Sequence, residues 1–258
     1  MYDNLSTYYD RFVNWENRLQ FEIPFIEKVL SQISAKGAEP IRVLDSASGT
    51  AMHAIALAKR GYACAAADLS AEMIQQAQKN SMEHHVQIQG AAVGLGEMTS
   101  VFGEQAFDAV LCLGNSIPHL ITEQQFQKAM QDFYHLLSKG GVLIIQNRNF
   151  EPVLAKQIRE MEPQAYSDST RDELYIRFYD FLANGLIQFN FITCVREKAQ
   201  SWSQSWNSSL LKPYRKNELE PALQQVGFKD LQYFGSLAGE PYDPAKSGNL
   251  VIVAWRKI

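Results

Sequence analysis

Val43-Leu44-Asp45-Ser46-Ala47-Ser48-Gly49-Thr50 is the stretch whose reading decides the fold. Ile41 to Leu44 form a short, mostly apolar run that stops on the carboxylate of Asp45. The residues from Ser46 to Thr50 are all small, as a tight turn requires. Residues 51–60 are Ala-rich and closed by Gly61, which reads as the helix behind that turn. A strand passing through such a turn into a helix brings backbone close to a ligand at the helix N-terminus.

Working outward, the alternation repeats. Residues 62–67 read as a strand ending at Asp68, and Ser70 caps a helix running to about Met82. Val86-Gln87-Ile88 is a weak strand and Phe107 to Leu113 a strong one. A helix from Thr122 to Leu137 leads through the turn Lys139-Gly140-Gly141 into the strand Val142 to Gln146. Residues 1–40 read as N-terminal helices, with Pro24 opening the second at its first turn. Alternating strands and helices predict an α/β fold with a doubly wound, mostly parallel, seven-stranded sheet. Ligands of such sheets bind at the carboxyl ends of the strands, where Asp45, Asp68 and Asn115 fall.

Beyond Phe150 the rhythm changes. Leu174 to Leu182 and Leu186 to Val195 alternate apolar and polar residues on either side of Asn184-Gly185. That dipeptide suits a two-residue type I′ hairpin turn. Residues 151–212 are therefore expected to form an antiparallel insertion over the sheet edge and the active site. The helix Lys216 to Val226 and the strands Phe228 to Phe234 and Leu250 to Trp255 would complete a single domain over 1–258.

Bulk properties narrow the partners. The net charge is -4, and no concentrated run of Lys and Arg is present to neutralise phosphates, which counts against nucleic acid. Cys64, Cys112 and Cys194 are scattered in apolar stretches, and no pairing of Cys or His suggests a metal. With neither a signal-peptide pattern nor a membrane-length apolar run, the expectation is a cytoplasmic enzyme with a small-molecule acceptor. Whether it works as a monomer or a homo-oligomer stays open.

The turn also bears on the cofactor. Asp68 lies 23 residues after Asp45, at the end of the next strand, where a carboxylate can accept from two ribose hydroxyls. The alternative is that both aspartates only cap helices. A dinucleotide would ask for Gly-x-Gly-x-x-Gly, whereas Gly49-Thr50-Ala51-Met52-His53-Ala54 has one glycine. A carboxylate just before the loop would repel a pyrophosphate and attract the ammonium group of a methionine moiety. A sulfonium cofactor is favoured over a nicotinamide one.

Val43 to Thr50 resembles the first motif of class I S-adenosylmethionine-dependent methyltransferases. The run from Phe107 to Leu120 is similar to the motif after their fourth strand. Within that class, Cys112-Leu113-Gly114-Asn115-Ser116 and Asn147-Arg148-Asn149-Phe150 resemble the glycine N-methyltransferase branch. The resemblance covers about residues 9–150 and is loose beyond. It implies S-adenosyl-L-methionine as cofactor, with Ala47 and Gly49 lining it and Asp68 on the ribose. Ala92 and Val93 would flank adenine, Leu113 would meet the methionyl part, and Arg18 would hold the cofactor carboxylate. Asn115 and Arg148 match positions that bind an amino-acid substrate. Two departures stand out: Ala51 replaces the second glycine of the first motif, and Ala92 replaces a polar residue beside adenine.

A guanidinium at the ligand end of a sheet suits a bidentate grip on a carboxylate, although a surface arginine at a strand end would look the same. Asn115 could equally be an ordinary turn residue. His119 is a weak candidate for a general base and reads more readily as scaffold. Of the aromatic residues, Tyr9 alone is carried as a ligand contact. The expected activity is methyl transfer to an amine or amino-acid-like acceptor bearing a carboxylate. Transfer to oxygen or sulfur, and cofactor binding without turnover, remain as alternatives.

Overall fold

The structure, a computed structural model, describes residue 10 and residues 13–33, 39–198 and 200–257. In chain order the elements are α1 (Trp15–Leu30), β1 (Arg42–Asp45), α2 (Met52–Ala58), β2 (Ala63–Asp68), α3 (Ala71–Glu83), β3 (Gln89–Ala92) and the single turn α4 (Thr99–Phe102). There follow β4 (Phe107–Cys112), a 3-10 turn (Ile117–His119), α5 (Glu123–Leu136), β5 (Leu137–Arg148) and α6 (Phe150–Ala155). The chain then forms β6 (Gln164–Ser167), β7 (Arg171–Phe181), β8 (Ile187–Glu197), β9 (Ser203–Leu211), α7 (Lys216–Val226), β10 (Phe228–Phe234) and β11 (Asn249–Arg256).

Seven strands make one sheet in the order β10-β11-β5-β4-β1-β2-β3. The pairs among β1 to β5 are parallel, and β11 runs antiparallel to both β5 and β10. The mostly parallel expectation holds, for the reason the alternation gave. One face of the sheet packs Leu44, Val110 and Ile145 against Phe126, Met130 and Phe133 of α5. The other packs Val43 and Leu111 against Ile26 and Leu30 of α1 and Leu57 of α2. Strand order reverses between β1 and β4, and sheets of this kind take their ligands at the carboxyl ends of the strands beside such a reversal.

Several local expectations are corrected. Pro24 sits on the exposed side inside the single helix α1 rather than opening a second helix. The strand expected at Val86 to Ile88 lies three residues later, where Gln89 to Ala92 pair with Ala65 to Asp68. Small residues suit that site, since a Cβ on Gly90 would stand 3.1 Å from the Ile74 side chain of α3. Lys139-Gly140-Gly141 is not a turn before the strand but part of β5, whose register against β4 shifts there. A Cβ on Gly141 would meet the carbonyl oxygens of Ser138 and Asp108 at 2.8 and 2.9 Å, which glycine avoids.

The insertion is a four-stranded antiparallel sheet in the order β6-β7-β8-β9, larger than the single hairpin foreseen. Its β7–β8 loop is also not a two-residue type I′ turn. Leu182 N–H donates to Leu186, Gly185 N–H donates to Leu182, and of the loop residues only Gly185 has positive φ (80°). That is the three-residue hairpin loop, with glycine at its left-handed position. The sheet is seated over the carboxyl end of β5, third strand from one side, and not along an edge. Tyr179, Ile187 and Leu211 pack on Phe150 and Val153 of α6, and Lys212 N–H donates 2.8 Å to the carbonyl of Pro118.

Candidate active site

The turn after β1 is fastened to the strands on both sides. The Ser46 N–H and hydroxyl both donate to the Leu111 carbonyl, at 2.8 and 2.7 Å, tying the turn to β4. Ser48 N–H donates to Ala67 O at 2.9 Å and Gly49 N–H to Asp68 Oδ2 at 2.8 Å, tying it to β2. Gly49 takes φ 53° at no steric cost. Ala51 takes φ 62° as the N-cap of α2, where a Cβ costs about 1 kcal/mol. Ala47 lies half-buried between these anchors.

Asp45 is wholly enclosed at the base of the turn. Its carboxylate accepts from the Ala54 backbone N–H, while Oδ2 has no hydrogen-bond partner among the described residues. Burial, more than any neighbour, pushes its pKa up to about 6; Asp68 adds to the rise, and His53 and Arg18 oppose it. A buried, half-satisfied carboxylate of this kind suits a cationic ligand group.

Beside it, α1 supplies Arg18 and Glu22. The Arg18 Nε donates to both Glu22 oxygens at 2.9 Å, and Glu22 Oε2 also meets His53 Nε2 at 2.5 Å. Despite its burial, Glu22 is held below the usual carboxylate range by His53 and Arg18. The Arg18 guanidinium lies 5.2 Å from the Trp15 ring centre, and Trp15 meets His53 edge-on at 5.5 Å. Asp10 closes this corner: its carboxylate accepts from Trp15 Nε1 (2.8 Å), Thr50 Oγ1 (2.5 Å) and Asn80 Nδ2 (3.0 Å). Glu22, His53 and Asp10 were not singled out in the sequence. Only the i,i+4 spacing of Arg18 and Glu22 was a signal, and it reads as an ordinary surface pair.

Along the sheet, Ala92 is exposed and Val93 buried, with Val93 N–H donating 2.9 Å to Asp68 O. The Leu113 carbonyl accepts from the Ser116 hydroxyl at 2.9 Å. Asn115 takes φ 68°, and its Oδ1 accepts from the Arg148 backbone N–H at 2.8 Å. The Asn115 side chain therefore joins the ends of β4 and β5. Its Nδ2 makes no hydrogen bond among the described residues. Arg148, half-buried, has neither a side-chain hydrogen bond nor an ion pair among them. Its charge is felt by Arg177 and Tyr179, neighbours on one face of β7. Burial first, then Arg148, lowers the Arg177 pKa.

Burial also pushes His119 below the ordinary histidine value, leaving its ring neutral at pH 7. Burial raises the thiols of Cys64 and Cys112 to about 12, which makes both poor nucleophiles. Tyr9 lies outside the described residues. Among those described, no cluster of His, Cys, Asp and Glu is set to hold a metal, and no helix is long and apolar enough to cross a membrane.

Residues 43–141 match the family of methyltransferase domains. A glycine/sarcosine N-methyltransferase of Aphanothece halophytica is 30% identical over 228 residues, 88% of this chain and 79% of that protein. The chain belongs to the class I S-adenosylmethionine-dependent methyltransferases. Human glycine N-methyltransferase is 29% identical over 51% of this chain and 49% of its own length. An S-adenosylmethionine-dependent methyltransferase from Clostridium acetobutylicum superposes with TM-score 0.78 at 16% identity, covering 100% of this chain and 99% of that one. An S-adenosylmethionine-bound amino pentose methyltransferase from Micromonospora echinaspora gives 0.70 at 19% identity, over 97% and 95% of the two chains. These two likenesses concern the fold.

This methyltransferase is thus an enzyme that uses S-adenosylmethionine, and the turn after β1 suits that cofactor. The orphaned Asp45 Oδ2 offers a seat for an ammonium group, and the turn from Ser46 to Ala51 brings backbone within reach of a ligand.

Proposed function

We propose that this methyltransferase methylates the nitrogen of an amino-acid-like small molecule whose carboxylate is gripped by Arg148. The carrying observation is that guanidinium: half-buried at the carboxyl end of β5 and without a protein partner among the described residues. A partly buried charge without a counter-charge is unfavourable, and a ligand carboxylate would supply one. The Asn115 Nδ2 beside it is a donor for the same group, and Arg177 adds positive potential. The names of the glycine/sarcosine N-methyltransferase relatives support the reading. Glycine is one candidate among amino acids.

The remaining assignments follow the resemblance to the family. Asp45 would take the cofactor's ammonium group, Arg18 its carboxylate and Asp68 its ribose. Ala47 and Gly49 would line it, Ala92 and Val93 would flank adenine, and Leu113 would face the methionyl part. Bound S-adenosylmethionine supplies a methyl group already activated on a sulfonium sulfur. What the chain must add is alignment of a neutral amine with that bond. Arg148 and Asn115 would fix the acceptor, and the amine proton would pass to solvent. No side chain is required as a base, so His119 stays scaffold in this reading.

The test is a screen of glycine, sarcosine and other amino acids against amines lacking a carboxylate. Wild-type enzyme should prefer carboxylated acceptors. Arg148→Ala should raise their KM by about 10- to 100-fold, the scale of a lost charge-assisted contact, with S-adenosylhomocysteine binding retained. An undiminished rate and KM in that variant would move the search to uncharged amines, phenols or thiols.

A further inference from the structure

Arg18 is reached by two kinds of restraint. Its Nε edge is engaged by both oxygens of Glu22 at 2.9 Å, and its central carbon lies over the Trp15 ring, 5.2 Å from the ring centre. The two Nη groups make no hydrogen bond among the described residues. Glu22 in turn is held from the other side by His53 at 2.5 Å, and the His53 ring is braced by Trp15. An ionised Glu22 at that distance accepts from His53, so the Nε2 carries the proton. Glu22 and His53 come from different helices, α1 and α2, and α2 begins directly after the cofactor turn.

We propose that Glu22, buttressed by His53, is a positioning residue that aims the Nη pair of Arg18 at the cofactor's carboxylate. The inference rests on the reading of Arg18 given above and deepens it. A free arginine has many rotamers, and fixing them before binding removes an entropic cost from the complex. Glu22 uses only the Nε edge, which leaves the planar fork of two Nη groups for a bidentate grip. His53 keeps the carboxylate facing Arg18. Because α2 carries His53, the chain Arg18–Glu22–His53 also ties the N-terminal helix to the turn that receives the methionyl end.

Two ligands separate this from a merely structural role. S-adenosylhomocysteine carries the carboxylate; its decarboxylated analogue keeps the adenosine, the sulfur and the amino group but lacks that acid. Calorimetry with Glu22→Gln should show S-adenosylhomocysteine weakened about tenfold, the scale of one released arginine side chain. The analogue should stay within about twofold, inside the scatter expected of a change that touches no ligand. His53→Gln, which can keep an N–H near the Nε2 position, should retain binding, and His53→Leu should reproduce the loss. Equal weakening of both ligands would make Glu22 a structural residue and overturn the proposal. Unchanged or tighter binding of S-adenosylhomocysteine would overturn it too, the latter by showing that Glu22 only quenches Arg18. If wild type binds both ligands equally well, Arg18 does not grip the acid, and that assignment fails along with the proposal. Acceptor recognition by Arg148 is untouched by any of these outcomes.

Discussion

Gly49 donates its backbone N–H to Asp68 Oδ2 at 2.8 Å, so the carboxylate at the end of β2 shapes the turn at the end of β1. Asp68 Oδ1 also accepts from Ser70 N–H at 2.9 Å, at the start of α3. A carboxylate has about four acceptor positions, so these two bonds do not exhaust it. Asp68→Ala should therefore do two things. It should weaken S-adenosylhomocysteine by roughly 1–3 kcal/mol, the scale of hydrogen bonds to a charged group. It should also lower Tm, because two backbone donors lose their acceptor. Calorimetry and thermal melts read the two effects separately, and unchanged affinity would remove Asp68 from the ribose.

With the cofactor's ammonium group on Asp45, as proposed, cofactor binding should depend on pH. Its pKa is raised from 3.8 to about 6 by burial, so the folded protein holds a proton there that the unfolded chain has released. Folding stability from this group is thus greatest at low pH and falls as pH rises through the window between those values. A bound ammonium group reverses the preference, since it favours the carboxylate. Affinity for S-adenosylhomocysteine should therefore rise with pH up to about 6 and level off above it. Asp45→Asn should flatten that profile, weaken binding at pH 7 and raise the Tm of the ligand-free protein. A profile that keeps its slope in Asp45→Asn would place the titrating group elsewhere.

What was legible in the sequence was local. Asp45, Gly49 and Asp68 belong to strand ends and a turn that short-range patterns specify. The β3 strand was misplaced because its bounds come from pairing with β2, and Gly90-Ala91-Ala92 has no strand propensity of its own. The hairpin was visible in its alternation, but Leu182 and Leu186 set the loop length through a pairing that the Asn-Gly dipeptide does not reveal. Glu22 and His53 lie 31 residues apart and meet only once α1 packs on α2, so no spacing announced them. Arg177 comes within reach of the Arg148 charge because β7 packs on α6 through Tyr179 and Phe150, in the region where resemblance to the family is loose.

Ala51 stands where the family has glycine, and the structure gives its cost. It holds φ 62° with its methyl wholly buried, so it carries left-handed strain but also fills space. Ala51→Gly relieves about 1 kcal/mol of strain and gives back a similar amount in unfolded-chain entropy and lost packing. Tm should shift by no more than a few degrees, and S-adenosylhomocysteine affinity should be unchanged or tighter. Marked weakening with an intact fold would show that the turn has adapted to the alanine methyl.

The acceptor end makes the last prediction. Tyr179 packs on Phe150 with ring centres 6.4 Å apart, which brings its strand over the residue two places beyond Arg148. Arg177 lies two residues before Tyr179 on the same face of β7, and the charge of Arg148 reaches both. Two guanidinium groups close enough to feel each other's charge repel and together favour an anion. Arg177→Gln should therefore raise KM for a carboxylated acceptor several-fold, about 1 kcal/mol, and leave S-adenosylhomocysteine binding unchanged. Arg148→Lys keeps the charge but loses the planar fork, so its turnover should fall more than that of Arg177→Gln. If the two act on one carboxylate, the double variant Arg148→Lys with Arg177→Gln will depart from additivity by about 0.5 kcal/mol or more. Strict additivity, with S-adenosylhomocysteine affinity intact throughout, would show that Arg177 acts on something other than the acceptor's acid.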